Sequence, residues 1–318
     1  PHVRMAVMGP ADEGDALPVS ITCEGSVFTF GELLGQGGFA KCYLVTAEDG
    51  REFACKVILK KRLDAPQLRD KLASEIAIHR ECDHPYIVRF VQTTEDAKRV
   101  YIMLEKCSQR TLHEMMQMRK RISEREAARI LAQLVSAVRY LHARRVIHRD
   151  IKLSNLFVHA SSTKLGDFGL AAHLEADDDR RTTMCGTPNY LAPEMLRKGE
   201  GHSYPVDAWA IGVVLYALLC GRAPFDAGGD VKRTYSRIRS ACVTFPDSAE
   251  LTSEARDLIK ALLHPDPTKR LELSRVARHP FMQRLEMPPT PAPKFMPLES
   301  EPCSPADACR RFPPCPPS

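Results

Sequence analysis

No long basic run occurs in this 318-residue chain. Its 45 Lys and Arg are interspersed with 40 Asp and Glu, giving a net charge of +5. Nucleic-acid binders concentrate positive charge in stripes that neutralise phosphates, so a nucleic-acid partner is not indicated. The short cluster Lys60-Lys61-Arg62 reads as a solvated strand end. The 11 cysteines lack metal-ligand spacing, and several fall inside apolar strands. Reduced, buried thiols follow, the state of a cytosolic or nuclear chain. Neither a signal peptide nor a membrane span is readable, so no membrane partner is expected. The very apolar stretch that starts at Asp207 and ends near Cys220 runs about 14 residues, below the roughly 17–25 a span needs. It reads as a buried central helix.

What is present is a set of motifs in a fixed order. Leu34-Gly35-Gln36-Gly37-Gly38-Phe39-Ala40-Lys41-Cys42 lies between two strand patterns, Phe28–Leu34 and Cys42–Val45. A glycine loop between two strands differs from the strand–loop–helix of a dinucleotide or P-loop site. Lys56 is a lone charge in the apolar strand Phe53-Ala54-Cys55-Lys56-Val57 and needs a partner if it points inward. Glu75 follows 19 residues later in a helical stretch, Leu68–Arg80. His148-Arg149-Asp150-Ile151-Lys152-Leu153-Ser154-Asn155 is followed, 12 residues after the Asn, by Asp167-Phe168-Gly169. Gly186–Glu194 then closes with Ala192-Pro193-Glu194, and Arg270 is placed to pair with Glu194. A lone Asp-Phe-Gly is an ordinary turn; the succession of motifs is what has meaning.

These residues resemble the eukaryotic protein kinases from about Phe28 to Phe281. The implied fold is α+β and bilobal. A small β-rich lobe with one helix spans 28–107, and a larger helical lobe spans 108–281. The helical stripe of Ile130, Leu131, Leu134, Val135, Val138 and Leu141 within Glu124–His142 fits a large-lobe core helix. The resemblance implies ATP and Mg²⁺ as cofactors. Asp150 would accept the proton of the attacking hydroxyl, and Asn155 and Asp167 would hold the metal. Lys152, Lys56 and Glu75 would manage phosphate charge, and Thr187 would contact Asp150 and Lys152. The nucleotide would meet the loop from Leu34 to Cys42, Ala54, the gatekeeper Leu104, the backbone of Glu105 and Cys107, and Phe157 on the pocket floor. Asp207 would tie down the catalytic-loop backbone.

Ala-Lys-Cys after the glycines, Ser74–Arg80, Arg145–Asp150 and Cys185–Tyr190 narrow the resemblance to polo-like kinases. Lys152 and Thr187 are similar to serine/threonine kinases rather than tyrosine kinases. Protein substrates with Ser or Thr sites follow, with an acidic residue preferred before the target. Arg149 would bind a phosphorylated activation-segment residue, Thr183, with Thr182 as the alternative. Arg180 and Arg181 look like a site for a basophilic upstream kinase. Cell-cycle or stress signalling, and a cytoplasmic or nuclear location including the centrosome, are what the family suggests. Ile151, Ser154, Ala208 and Ala210 depart from the subfamily pattern, so a pseudokinase scaffold is the alternative. Residues 1–27 lack periodicity and read as a flexible leader. Residues 282–318 read as a disordered Pro-rich tail or linker, since 11 of the 24 prolines lie in 288–318. Arg310-x-x-Pro313-x-x-Pro316 there matches an SH3-ligand pattern.

Overall fold

Alternating apolar residues build a single antiparallel sheet at the front of the chain. In the computed structural model, residues 17–283 are described, apart from Phe39, Ser108, Gln109, Asp177 and Lys198. The strands are β1 (Ser20–Cys23), β2 (Ser26–Gln36), β3 (Ala40–Ala47), β4 (Glu52–Leu59), β5 (Phe90–Glu95) and β6 (Arg99–Glu105). Their spatial order is β1-β2-β3-β4-β6-β5. Helix α1 (Pro66–Arg80) interrupts the series between β4 and β5. One face of the sheet buries Phe28, Val45, Phe53, Cys55, Val57, Tyr101 and Met103. On the other, Ile58, Val100 and Ile102 pack with Leu68, Leu72 and Ile76 of α1. Period-2 alternation along β4 therefore puts Lys56 on the α1 side.

The predicted leader is corrected at its end. Ser20–Cys23 pairs with Ser26–Thr29 through a hairpin whose turn is Glu24-Gly25, with φ 48° and 81°. Four residues are too few for alternation to stand out in a sequence, and the glycine that makes the turn is a weak signal alone. The predicted strand 28–34 is likewise longer, Ser26–Gln36.

The second lobe is helical: α2 (Leu112–Arg119), α3 (Glu124–His142), α4 (Pro205–Cys220), α5 (Val231–Ser240), α6 (Ser253–Leu262), α7 (Leu273–Val276) and α8 (Pro280–Gln283). Two short antiparallel pairs complete it: β7 (Val146–Ile147) with the distant β10 (Ala172–His173), and the hairpin of β8 (Leu156–His159) with β9 (Ser162–Leu165). Helix α3 begins where Ser123 Oγ accepts the Glu126 N–H, and it buries the predicted stripe. Helix α4 is buried all round from Val206 to Leu219, which explains its apolar run without a membrane. It stops at Gly221, φ 75°, where a Cβ would lie 2.7 Å from the Lys120 carbonyl oxygen, so only glycine fits.

Candidate active site

The catalytic-loop residues leave β7 in a strained path. Arg149 has φ 65°, a left-handed conformation that costs a side chain about 1–2 kcal/mol. Asp207, wholly buried at the start of α4, offsets this strain. Its carboxylate accepts the His148 N–H at 3.0 Å, the Arg149 N–H at 2.9 Å and His142 Nε2 at 2.8 Å. His148 accepts the Asp150 N–H at Nδ1 (3.4 Å) and faces the Gly166 carbonyl with Nε2 (3.3 Å). Burial holds this imidazole neutral, against the pull of Asp207 and Asp167. A neutral ring with its proton on Nε2 satisfies both contacts.

The loop so held presents Asp150 as a nearly buried carboxylate. Lys152 Nζ donates to Asp150 Oδ2 at 2.7 Å and to Thr187 Oγ1 at 3.0 Å. The Thr187 hydroxyl donates to Asp150 Oδ1 at 3.0 Å. Asn155 Nδ2 donates to the Asp150 carbonyl (2.9 Å) and to Oδ2 (3.1 Å). Gly186 turns the chain into Thr187 at φ 118°, with the Arg149 carbonyl oxygen 3.0 Å from where a Cβ would stand. Asp150, Lys152, Asn155 and Thr187 are thus brought together as the sequence predicts.

A second cluster forms across the lobes. Lys56 Nζ donates to Glu75 Oε1 of α1 at 2.5 Å and to Asp167 Oδ1 at 3.5 Å. Burial alone would favour a neutral amine, but Glu75 and then Asp167 outweigh it and hold Lys56 charged. Burial also disfavours the Asp167 anion. Lys56 and the Gly169 N–H overcome this and keep its carboxyl below the usual range. Asp167 is another left-handed residue, φ 60°.

The groups fit a magnesium nucleotide. Asp167 is an ionised hard-oxygen donor, and Asn155 spends its amide N–H on Asp150, which leaves its amide oxygen outside those bonds. A Cβ at Gly35 or Gly38 would point into open space. Ala54 and Leu104 face each other across β4 and β6. Phe157 on β8 packs against Gly166, where a Cβ would lie 2.9 Å from its ring. Burial pushes the Cys42 thiol up to about 11, against the pull of Lys56, and the Cys107 thiol up to about 12. Neither is a nucleophile at neutral pH. Phe39 lies outside the described residues.

A column of rings joins the lobes behind these groups. Phe90 meets His79 edge-on at 5.8 Å, His79 stacks on Phe168 at 4.3 Å, and Phe168 meets His148 at 5.2 Å. His79 escaped the sequence reading. Its signal was there, four residues after Glu75 and so on the same face of α1. Its ring faces the Val88 carbonyl oxygen at 2.7 Å, and burial lowers its pKa to about 4. A neutral His79 is therefore built into the fold. The unfolded chain binds a proton there near pH 6.5, so this share of stability is full above 6.5 and falls as pH drops towards 4. By pH 5 the loss is roughly 2 kcal/mol. Urea midpoints at pH 7.5 and 5.0 check it, with His79→Leu expected to show a smaller drop than wild type.

Glu105 acts through its side chain as well as its backbone. Its carboxylate accepts from Lys164 Nζ at 2.8 Å and the Arg89 N–H at 3.1 Å. It ties the inter-lobe strand end to the β8–β9 hairpin through side-chain chemistry, where the sequence reading assigned only backbone.

A protein kinase domain family matches residues 28–282. The chain belongs to that family. It is 44% identical over 281 residues to the probable serine/threonine-protein kinase CCRP1 of Zea mays, covering 88% of this chain and 44% of that protein. Identity to the cell cycle serine/threonine-protein kinase CDC5/MSD2 of Saccharomyces cerevisiae is 40% over 292 residues, or 89% of this chain and 41% of that one. To the serine/threonine-protein kinase PLK1 of Xenopus laevis it is 46% over 242 residues, or 76% and 40%. The kinase domain is thus similar to polo-like kinases, and it spans less than half the length of these relatives. The departures at Ile151, Ala208 and Ala210 are buried apolar positions, and Ser154 is exposed. None of the four enters the hydrogen bonds of the catalytic loop described above.

In the activation segment, Thr182 and Thr183 are exposed. The Arg149 guanidinium donates from Nε to the Leu170 carbonyl at 2.7 Å. Arg181 and His202 exchange both backbone hydrogen bonds, at 2.9 and 2.8 Å. Arg180 Nη1 donates to Ser203 Oγ at 2.6 Å, and Arg181 Nη2 to the His173 carbonyl. The two arginines are thus engaged within the domain.

Proposed function

We propose that this domain transfers the γ-phosphate of ATP to serine or threonine hydroxyls of proteins, with Mg²⁺, as the names of its relatives suggest. The observation behind the reading is that both clusters are formed at once: Asp150–Lys152–Thr187, and Lys56–Glu75–Asp167. Bound Mg-ATP would supply the phosphoryl group and the cation that offsets its charge. Asp150 accepts the substrate hydroxyl proton. Thr187 and Lys152 fix the Asp150 carboxylate, and Lys152 lies ready to offset charge on the transferring group. Glu75 holds Lys56 where it would meet the nucleotide phosphates, and Asn155 and Asp167 would hold the metal. The Glu105 N–H is already given to the Arg89 carbonyl at 2.9 Å, so its contribution to adenine is its carbonyl. Transfer of labelled phosphate from ATP to casein tests this, with and without Mg²⁺. No transfer by the wild-type domain, even after mixing with a basophilic activating kinase, would leave a scaffold role instead.

Phosphorylation of Thr183 is the regulatory step of this proposal. Its phosphate would pair with Arg149 in a charge-assisted contact. Thr183→Ala is expected to lower activity several-fold, and Thr183→Asp to restore part of it, in a peptide phosphorylation assay. Equal activity of Thr183→Ala and wild type would sink the idea. An upstream kinase that reads Arg180 and Arg181 must first open their contacts with His202 and Ser203. A cell-cycle role, a preference for acidic residues before the target, a cytoplasmic or nuclear site and an SH3-type partner belong to the same proposal. The SH3-type motif falls in the tail, outside the described residues.

A further inference from the structure

We propose that the exposed face of α5 docks acid-rich segments of protein substrates, an inference that rests on the kinase reading. The helix, Val231-Lys232-Arg233-Thr234-Tyr235-Ser236-Arg237-Ile238-Arg239-Ser240, holds four basic residues and no acidic one. Thr234 and Ile238 turn into the lobe, while Lys232, Arg233, Arg237 and Arg239 are exposed. Arg237 is engaged with the Asp226 carbonyl. Lys232, Arg233 and Arg239 form no side-chain ion pair among the described residues. A single solvated lysine needs no explanation. Three exposed cations without an ion-pair partner on one short helix concentrate positive potential on this side of the lobe.

Position gives this patch its partner. Helix α5 packs against the turns Pro188–Tyr190 and Pro193–Leu196. The first of these begins directly after Thr187, whose hydroxyl meets Asp150. A polypeptide with its target hydroxyl at Asp150 therefore has a route past α5. Charge complementarity selects acidic segments. A membrane is a poorer fit, because the apolar side of α5 is spent inside the lobe and only Val231, 44% exposed, is left to insert.

The test uses dephosphorylated casein, rich in acidic residues and serines, against Lys232→Ala/Arg233→Ala/Arg239→Ala. All three residues are exposed, so the fold should hold, and the melting temperature checks that. Removing three exposed charges should raise Kd by fluorescence anisotropy, and KM for casein, about tenfold, equivalent to about 1.4 kcal/mol. The kcat, and the KM for a short substrate peptide without acidic flanks, should not move. The charge-preserving variant Lys232→Arg/Arg233→Lys/Arg239→Lys should bind casein as wild type does, and added salt should erase the difference between wild type and the alanine variant. Unchanged casein affinity in the alanine variant overturns the proposal. So does a loss confined to phosphatidylserine vesicles, which would assign the face to a membrane. Charge-dependent casein binding without phosphate transfer would uphold docking and refute catalysis, so the two failures are distinguishable.

Discussion

Asp150→Asn should lower kcat about a thousand-fold, within the range of roughly 10²–10⁴ that a positioned general base supplies. The substitution keeps size and shape but removes the charge and the proton-accepting ability. It also disturbs the local bonds. Asp150 accepts from Lys152, Asn155 and Thr187 at once. An amide has one accepting oxygen, so its NH₂ must face a donor. The Lys152 ammonium loses its anion, and the Thr187 hydroxyl must turn. Nucleotide affinity should change little, because Lys56, Glu75 and Asp167 form a separate cluster. Single-turnover transfer to casein with saturating Mg-ATP isolates the chemical step, and nucleotide affinity by fluorescence titration supplies the control. A loss under tenfold would show that Asp150 is not the base. An equal loss in nucleotide affinity would show that the loop had collapsed.

The candidate catalytic groups were legible as a cluster because their spacing along one short loop is fixed by covalent geometry. Asp150 and Asn155 are five residues apart and cannot be far from each other. Lys56 with Glu75 was legible for another reason: a charge in an apolar run demands a partner, and the order of motifs named one. Glu194 with Arg270 was legible from the order of motifs alone. What the sequence did not show depends on packing between distant segments. His79 joins a column of rings only because β5, α1 and the Asp-Phe-Gly turn meet. The Arg181–His202 exchange joins two irregular segments with no periodicity. Strand β1 was hidden by its shortness. The glycine loop was read correctly as an inter-strand loop, yet Gly35 and Gly38 do not adopt left-handed angles. Their value lies in the open space that a Cβ would occupy.

The largest effect on stability is expected at the pair of Glu194 and Arg270. Arg270 donates from Nη1 to Glu194 Oε1 at 2.7 Å and from Nη2 to Oε2 at 2.9 Å. Both side chains are almost wholly buried, 1% and 4% exposed. The guanidinium also donates to the Pro205 carbonyl (2.7 Å) and the His264 carbonyl (3.0 Å), and it lies over the Trp209 ring. Arg270→Ala removes all of these and leaves the Glu194 carboxylate in the interior without a cation. Breaking a buried pair from one side costs roughly 3–5 kcal/mol. At about 2–4 °C per kcal/mol, the melting temperature should fall by about 10 °C. Arg270→Lys should recover only part of this, since one ammonium cannot make the two parallel bonds. Glu194→Gln/Arg270→Met should cost less than Arg270→Ala, because it leaves no buried charge behind. Glu194 ends the activation segment and Arg270 follows α6, so the pair also anchors the far end of the segment that presents Thr187. Arg270→Ala should therefore lose activity at temperatures where the variant is still folded. A melting temperature within 2 °C of wild type would mean that the buried pair contributes nothing net to the fold.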